Sequence, residues 1–209
     1  MTRGKFISIE GTEGAGKSTA LDYIANYLAE SGLKIVLTRE PGGTALSEEI
    51  RQLLLHSQDE TIQPITELLL MFASRAQHLN HCIAPALNQG SWVVSDRYID
   101  ASYAYQGGGR GIPVEDILLL DKLVVGEGYP DLTLLLDLPA ELGMLRTEKR
   151  GVKKDRIEQE KIDFFERVRQ VYLKRAKENS DRIKIIDASQ PLLDVQKQIH
   201  HALDHFMRN

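Results

Sequence analysis

The sequence predicts an α/β fold in which a five-stranded parallel sheet carries helices on both faces. Three observations lead to this prediction: five short apolar runs, the longer amphipathic segments that separate them, and a glycine-rich loop after the first run. Runs dense in Ile, Leu and Val are typical of strands buried on both faces. Regular alternation of strands and helices favours one sheet with helical crossovers. We therefore expect a single domain over residues 1–209.

The five predicted strands are all short. Each contains a run of Ile, Leu or Val, which is typical of strands buried on both faces. They lie at residues 5–10, 34–39, 91–95, 132–137 and 182–187.

The predicted helices repeat apolar side chains at intervals of three and four residues. In the first of them, Leu21, Ile24 and Leu28 follow that spacing. Two glycine-rich or charged stretches, 107–111 and 150–156, are predicted instead to be functional loops. The helices are predicted at residues 18–29, 44–56, 64–87, 113–125, 140–150, 161–179 and 191–207.

The composition excludes several classes of protein. With 42% hydrophobic and 27% charged residues, the chain resembles ordinary globular domains rather than disordered segments. Its net charge of -4 gives no indication of a nucleic-acid-binding surface, which usually has a basic excess. The single cysteine, Cys82, excludes an internal disulfide, and no apolar run suggests a membrane span or a signal peptide. We expect a cytoplasmic protein that binds neither nucleic acid nor membrane.

A phosphate-binding loop follows the first predicted strand. Residues 11–18 read GTEGAGKS and match G-x-x-x-x-G-K-[ST] in the strand–loop–helix context that the motif requires. Its glycines let successive backbone N–H groups face one anion, beside the positive end of the following helix. Lys17 is expected to act on the β- and γ-phosphates, and Ser18 to coordinate Mg²⁺. The residues expected to bind the nucleotide phosphates are Gly11, Thr12, Glu13, Gly14, Ala15, Gly16, Lys17, Ser18 and Thr19.

Further site residues are predicted at the carboxyl ends of other strands, where open α/β sheets bind ligands. Arg39 and Glu40 follow the second strand, and Asp96 and Arg97 follow the third. Asp96 is placed to hold Mg²⁺, directly or through water. Arg39 and Arg97 either pair with acids or hold a substrate phosphate through their planar guanidinium groups.

Five stretches together resemble the thymidylate kinases, enzymes that phosphorylate dTMP to dTDP. They read IEGTEGAGKST, TREPGG, LLLMFASRAQH, DRYIDASYAYQGGGR and DRIEQE, in the family's order over residues 6–187. The resemblance implies a P-loop nucleoside-monophosphate-kinase-like fold, ATP as phosphate donor, Mg²⁺, dTMP as acceptor, and a homodimer. Two alternatives stay open: a P-loop nucleoside or nucleotide kinase with another acceptor, and a switch protein that hydrolyses ATP to change partners.

On the acceptor side, the resemblance implies a clamp on the dTMP phosphate. Arg39 and Arg97 match the clamp residues, Arg97 also serving catalysis, and Arg51 is expected to be a third contact. Arg75 matches the residue that hydrogen-bonds thymine O4. Because Arg75 lies on an otherwise core-facing helix, its charge needs a partner.

The resemblance also implies a pocket for the base and sugar. Ser102 and Gln106 match positions at the thymine edge, and Tyr105 matches a tyrosine that crowds the sugar C2′ and disfavours ribonucleotides, with core packing as its alternative role. Many relatives carry an aromatic residue that stacks on thymine four positions before the arginine, where this chain has Met71. Phe72 lies three positions before it, and both spacings keep a side chain on one helical face. We favour Phe72 as the stacking residue, with Met71 as the alternative.

Acidic residues near the phosphates are given other roles. The resemblance places Glu13 near the 3′-OH of dTMP, or near Mg²⁺ through water, and a carboxylate is a strong hydrogen-bond acceptor for a hydroxyl. Glu40 is expected to assist at the same sugar and phosphate, and Glu10 to order the site.

The catalytic cations are expected from a distant segment. Phosphoryl transfer needs cations around the transferring group, yet the phosphate loop contributes only Lys17. The resemblance implies a lid at about residues 146–157, a segment rich in Lys and Arg. We expect Arg150 and Arg156 to be catalytic, and Arg146 to stack on the adenine ring.

Overall fold

The computed structural model describes residues 3–56, 60–149, 151 and 154–208. Its five strands are β1 (Phe6–Glu10), β2 (Ile35–Arg39), β3 (Trp92–Asp96), β4 (Leu132–Asp137) and β5 (Ile183–Asp187). They form one sheet in the order β2-β3-β1-β4-β5, and every neighbouring pair is parallel. The predicted fold class is confirmed, and every strand end lies within one residue of its predicted position.

The helices follow the predicted order, apart from a short helix after β3 that was not predicted, Ile99–Ser102. They are α1 (Lys17–Glu30), α2 (Ala45–His56), α3 (Pro64–His78), α4 (Ala84–Asn88), α5 (Ile99–Ser102), α6 (Val114–Val124), α7 (Ala140–Lys149), α8 (Ile162–Glu178) and α9 (Leu192–Arg208). The long helix predicted at 64–87 is divided by a π-helical turn, Leu79–Ile83, that joins α3 to α4.

The prediction of a loop at 107–111 is wrong for residues 107–109. A π-helical segment, Tyr103–Gly109, continues α5 through the glycine run. These glycines permit close packing: a Cβ added to Gly108 would lie 2.7 Å from Cγ2 of Val171, and one on Gly109 would lie 2.5 Å from the Phe164 ring. The glycine run therefore lets this segment approach α8 rather than giving the chain a loose loop.

The core lies on both faces of the sheet, as the continuous apolar strands predicted. On one face Ile24 of α1 and Ile199 of α9 are fully buried in one cluster with the sheet. On the other face Leu68 of α3 and Ile117 of α6 pack into a second cluster, and Val168 of α8 belongs to a third. The carboxyl ends of the strands are left for the site.

Within the described segments, no helix is both long enough and apolar enough to cross a lipid bilayer.

Candidate active site

A cavity of about 610 Å³ opens at the carboxyl ends of β1 and β3. This volume is typical of sites for small organic ligands, and the edge of the sheet is the one where open α/β folds bind them. Its wall combines the phosphate loop with residues that follow β2, β3 and β5. The predicted site residues on the wall are Glu13, Gly14, Ala15, Gly16, Lys17, Ser18, Thr19, Glu40, Arg51, Arg75, Asp96, Arg97, Ser102, Tyr105, Gln106 and Arg146.

The lysine of the phosphate loop donates hydrogen bonds back to the loop. Nζ of Lys17 donates to the carbonyl oxygens of Gly11 at 3.1 Å and Thr12 at 2.9 Å, two residues that do not line the cavity themselves. Burial lowers the pKa of the Lys17 ammonium, and Arg97 lowers it further, whereas Glu13 opposes the shift. The ammonium therefore satisfies loop carbonyls while it lies beside the cavity.

The phosphate loop also touches α7 backbone to backbone. A Cβ on Gly14 would lie 2.1 Å from the carbonyl oxygen of Gly143, and a Cβ on Gly143 would lie 2.4 Å from that of Glu13. Gly14 also has a positive φ of 73°, which side chains rarely adopt. Glycine at both positions lets the helix that leads into the predicted lid rest directly on the phosphate loop.

A charged triad forms between the phosphate loop and the end of β3. Nη2 of Arg97 donates to Oε1 of Glu13 at 2.6 Å and lies 3.0 Å from the hydroxyl oxygen of Tyr105, which itself lies 3.1 Å from Oε1 of Glu13. Burial raises the pKa of Glu13, but the charges of Arg97 and Lys17 outweigh it and hold the pKa at about 2. Arg97 thus pairs with an acid in this structure, one of the two states predicted for it.

Asp96 and Ser18 fit the predicted Mg²⁺ site. Both line the cavity, and among the described residues the buried Oδ1 of Asp96 has no hydrogen-bond partner. No cluster of three or more His, Cys, Asp or Glu side chains suited to a metal occurs in the described part of the chain. The donor set is therefore one hydroxyl and one carboxylate, which suits an ion that also takes water and phosphate oxygens.

A second charged cluster surrounds Arg75. Its Nε donates to Oε2 of Glu40 at 2.7 Å, Nη1 to Oγ of Ser102 at 2.9 Å, and Nη2 to the carbonyl oxygen of Tyr98 at 3.1 Å. Nδ1 of His78 lies 3.0 Å from Oε1 of Glu40. The partner that the sequence required for this buried arginine is therefore Glu40.

Phe72 does not line the cavity, so our preference for it over Met71 is corrected. The Phe72 side chain is only 2% exposed and packs in the core cluster with Leu68 and Val93. Its ring supports the guanidinium of Arg75, whose Cζ lies 4.9 Å from the ring centroid. Successive residues of a helix point about 100° apart, and here Met71 is the one on the cavity wall.

Arg39 lies outside the cavity wall. Its guanidinium pairs with Glu48, with Nη2 to Oε2 at 2.9 Å, and its side chain is 54% exposed. Arg51 does line the cavity and donates Nη1 to the carbonyl oxygen of Pro41 at 2.9 Å. Of the three arginines predicted to clamp a phosphate, Arg51 and Arg97 are brought together here.

Of the predicted lid residues, one lines the cavity and another does not. Arg146 is on α7, lines the cavity and donates Nη1 to the carbonyl oxygen of Ala188 at 2.9 Å. Arg156 does not line the cavity: Nη2 donates to Oε2 of Glu67 at 2.6 Å and Nε to the carbonyl oxygen of Leu54 at 2.8 Å. Arg150 lies outside the described residues.

Sequence reasoning missed wall residues from the final helix. Leu192, Val195 and Gln196 of α9 line the same cavity as Ser18 and Thr19. The one feature of the sequence that could have indicated them is their place after β5, at whose carboxyl end ligands bind. Glu10 was recognised, but its partner Tyr172 was not: the tyrosine hydroxyl donates to Oε2 of Glu10 at 2.7 Å.

Glu10 makes the free energy of unfolding depend on pH. Its carboxyl group is fully buried, and burial and the charge of Asp100 raise its pKa to about 8, despite hydrogen bonds from Tyr172 and from the backbone N–H of Tyr98. The unfolded chain ionises this group near 4.5, so its contribution to the free energy of unfolding falls as pH rises from 5 to 8. The slope from one group is bounded by about 1.4 kcal/mol per pH unit.

Glu10→Gln should therefore flatten the pH dependence of the free energy of unfolding between about pH 5 and 8. Urea denaturation of both proteins across this range measures the difference. Glu13, with its pKa of about 2, loses its contribution only at more acidic pH and does not interfere. Equal slopes for the two proteins contradict the prediction.

Comparison with known proteins gives one consistent family. Residues 9–199 match the family model described as Thymidylate kinase. The chain is 57% identical over 199 residues to the thymidylate kinase of Vesicomyosocius okutanii subsp. Calyptogena okutanii (strain HA), covering 95% of this chain and 97% of the relative. It is 57% identical over 194 residues to that of Pseudomonas putida (strain W619), covering 93% of each. The crystal structure of thymidylate kinase from Ehrlichia chaffeensis superposes with a TM-score of 0.77 at 34% identity, covering 96% of this chain and 99% of that one.

Proposed function

The chain belongs to the thymidylate kinase family, and we propose that it phosphorylates dTMP to dTDP in the cavity described above, with ATP as donor and Mg²⁺. The observation that carries this proposal is that one cavity wall holds both a phosphate loop and the Arg75 cluster. The first group suits the triphosphate of ATP, and the second suits a polar base edge. In-line transfer needs both substrates in one enclosed space.

On the donor side, the backbone N–H groups of the phosphate loop bind the ATP phosphates. Lys17 leaves the carbonyls of Gly11 and Thr12 and turns to the β- and γ-phosphates. Ser18 and Asp96 would hold Mg²⁺, and the free Oδ1 of Asp96 supports this role within the described residues. The ion, when bound, neutralises charge that develops on the transferring phosphoryl group.

On the acceptor side, Arg97 and Arg51 hold the phosphate of dTMP. Arg97 is then released from Glu13, and the free carboxylate accepts a hydrogen bond from the sugar 3′-OH. Arg39 joins the clamp by leaving Glu48, because exposed ion pairs are worth little. Glu40 keeps Arg75 oriented toward the base.

The base lies against Met71, with Arg75, Ser102 and Gln106 at its edge. All four residues line the cavity. A thioether side chain packs on an aromatic ring with favourable sulfur contacts, so Met71 takes the stacking role that we first gave to Phe72.

Tyr105→Ala should admit a ribonucleotide acceptor. The Tyr105 ring lines the cavity, and its hydroxyl is fixed by Arg97 and Glu13, so the ring cannot move away from a 2′-OH. We expect kcat/KM for ribothymidine 5′-monophosphate to rise by about tenfold. Tyr105→Phe keeps the ring and should exclude the ribonucleotide as the native protein does. The steric role is contradicted if the alanine variant gains no ribonucleotide activity.

The protein is proposed to be a homodimer through α3 and α6. These helices contact each other, and apolar side chains stand exposed on both, including Leu69 at 51%, Leu119 at 68% and Leu123 at 80%. Exposed apolar side chains gathered on neighbouring elements are typical of an association surface.

The double variant Leu119→Glu/Leu123→Glu should be monomeric, because two buried carboxylates without partners oppose association. Sedimentation equilibrium of native and variant protein measures the state. Leu193→Glu is the matched control, since Leu193 is 70% exposed on α9, at the opposite face of the sheet. A native protein that is already monomeric at the same concentration contradicts the proposal.

The function is tested by a coupled assay with ATP and a panel of dTMP, dUMP, dCMP, dGMP and UMP. We expect dTMP to be the best acceptor. Strong activity on another acceptor beside weak dTMP activity favours a related nucleotide kinase, and ATP hydrolysis without a phosphorylated acceptor favours a switch protein.

The protein is proposed to be cytoplasmic, because its single cysteine, Cys82, suits a reducing compartment. Cell fractionation with antibody detection checks this location.

A further inference from the structure

A buried carboxylate behind the cavity wall gathers side chains from two separate segments. Glu67, on the first turn of α3, is 1% exposed and does not line the cavity. Its Oε1 accepts from Nε2 of Gln106 at 2.8 Å, and its Oε2 accepts from Nε of Arg110 at 3.2 Å and from Nη2 of Arg156 at 2.6 Å. Nothing in the chemistry of phosphoryl transfer requires this group.

The arginines keep this carboxylate ionised. Burial raises the pKa of Glu67, but the hydrogen bond from Gln106 and the contacts of Arg110 and Arg156 outweigh it, so the pKa lies below its usual value. An ionised carboxylate only accepts hydrogen bonds. The atom that Gln106 turns toward Glu67 must therefore be its amide nitrogen, and the carbonyl oxygen is the group left for the cavity that Gln106 lines.

We propose that Glu67 is a positioning residue for base selection, because it fixes the Gln106 amide with its carbonyl oxygen available to the acceptor base. This inference rests on the proposed function, since it concerns the same base pocket. A carbonyl oxygen accepts from the N3–H of thymine. Cytosine instead presents a lone pair at N3 and is repelled.

Arg75 reinforces the same choice from the neighbouring position. A guanidinium only donates, which suits the O4 oxygen of thymine and opposes the N4 amino group of cytosine. A donor from Arg75 beside an acceptor from Gln106 therefore matches thymine at both atoms and cytosine at neither. Sites that hydrogen-bond a substrate in this way discriminate strongly, because a wrong substrate leaves buried polar groups unpaired.

The experiment measures kcat/KM for dTMP and for dCMP in native protein and in Glu67→Gln. An amide at position 67 can donate as well as accept, so the Gln106 amide loses its imposed orientation. We expect the dTMP to dCMP ratio of kcat/KM to fall by about tenfold. Glu160→Gln is the matched control: Glu160 also accepts from Arg110, whereas the hydrogen bond of the Gln106 amide goes to Glu67. The ratio in this variant should stay within about twofold of the native ratio.

A double-mutant cycle separates positioning from a general structural effect. In a Gln106→Leu background, Glu67→Gln should leave the dTMP to dCMP ratio of kcat/KM unchanged. Glu67 acts on the base only through the Gln106 amide, and that amide is already absent. If thermal melting shows that Glu67→Gln does not fold, Glu67→Asp, which shortens the side chain and withdraws it from Gln106, replaces it in the same cycle with the same expectation.

Three results overturn the inference: an unchanged ratio in the folded position-67 variant, an equal fall in Glu160→Gln, or a further fall in the Gln106→Leu background. A fall in kcat of equal size for dTMP and dCMP, which leaves the ratio unchanged, is the effect expected from releasing Arg156 alone. Native protein that does not phosphorylate dTMP contradicts the proposed function. Active native protein with an unchanged position-67 variant contradicts only the role of Glu67.

Discussion

Arg97→Ala is expected to lower kcat/KM for dTMP by about 10²–10³-fold, the largest loss we predict for a described residue. The Arg97 guanidinium lies on the cavity wall, where it meets Glu13 at 2.6 Å and Tyr105 at 3.0 Å. Its removal takes away the planar group that we propose holds the acceptor phosphate. It also removes the nearer of the two cations beside the Glu13 carboxylate, and leaves Lys17, whose Nζ lies 4.0 Å from Oε2 of Glu13, as the other.

Steady-state kinetics with varied dTMP measures this effect, and Arg97→Lys is the control. Lysine keeps the charge but not the planar fork that binds two phosphate oxygens at once, so an intermediate kcat/KM is expected. Because Arg97 has a φ of 68°, Arg97→Gly adds a useful comparison: it removes the side chain and suits that backbone. If Arg97→Ala retains kcat/KM within about fivefold of the native value, the phosphate clamp is wrongly assigned.

Arg150→Ala is expected to lower kcat by about 10²-fold or more while KM for dTMP changes little, because a lid cation acts mainly on the transition state. Arg156→Ala should have the smaller effect on kcat, since its guanidinium is held by Glu67 and by the carbonyl of Leu54 rather than on the cavity wall.

Lys154→Ala provides the control within the same segment. Nζ of Lys154 lies 3.6 Å from Oε1 of Glu148 in a partly exposed pair, so its loss should change kcat by less than about threefold. Single-turnover kinetics separate the chemical step from product release for each variant. An unchanged kcat in Arg150→Ala and in the Arg150→Ala/Arg156→Ala double variant removes the lid hypothesis.

The strands and the phosphate loop could be predicted because their signals are local. Each strand is a short apolar run, and residues 11–18 carry a spacing that dictates the conformation of their own backbone. The segment Tyr103–Gly109 could not be predicted, because its glycines are selected by the approach of α8, whose residues lie more than 50 positions away. Local composition indicated a loop there, and tertiary packing imposed a helix.

Side chains at the site were harder to place than the elements that carry them. Met71 and Phe72 are both apolar, so spacing alone could not decide which faces the cavity and which faces the core. Arg156 illustrates the same limit for charge: its partner Glu67 lies 89 residues earlier. A cluster of cations in the sequence indicates a lid, but it does not tell which cation is already engaged by a distant acid.

The contact between Gly14 and Gly143 restricts how this protein can change over evolutionary time. A methyl group at either position would meet backbone atoms at under 2.5 Å, so no rotamer change can relieve the clash. Substitution at one site requires α7 to shift away from the phosphate loop, and no mutation at the other site can compensate, since glycine is already the smallest residue. The two positions should therefore be inherited together as glycine.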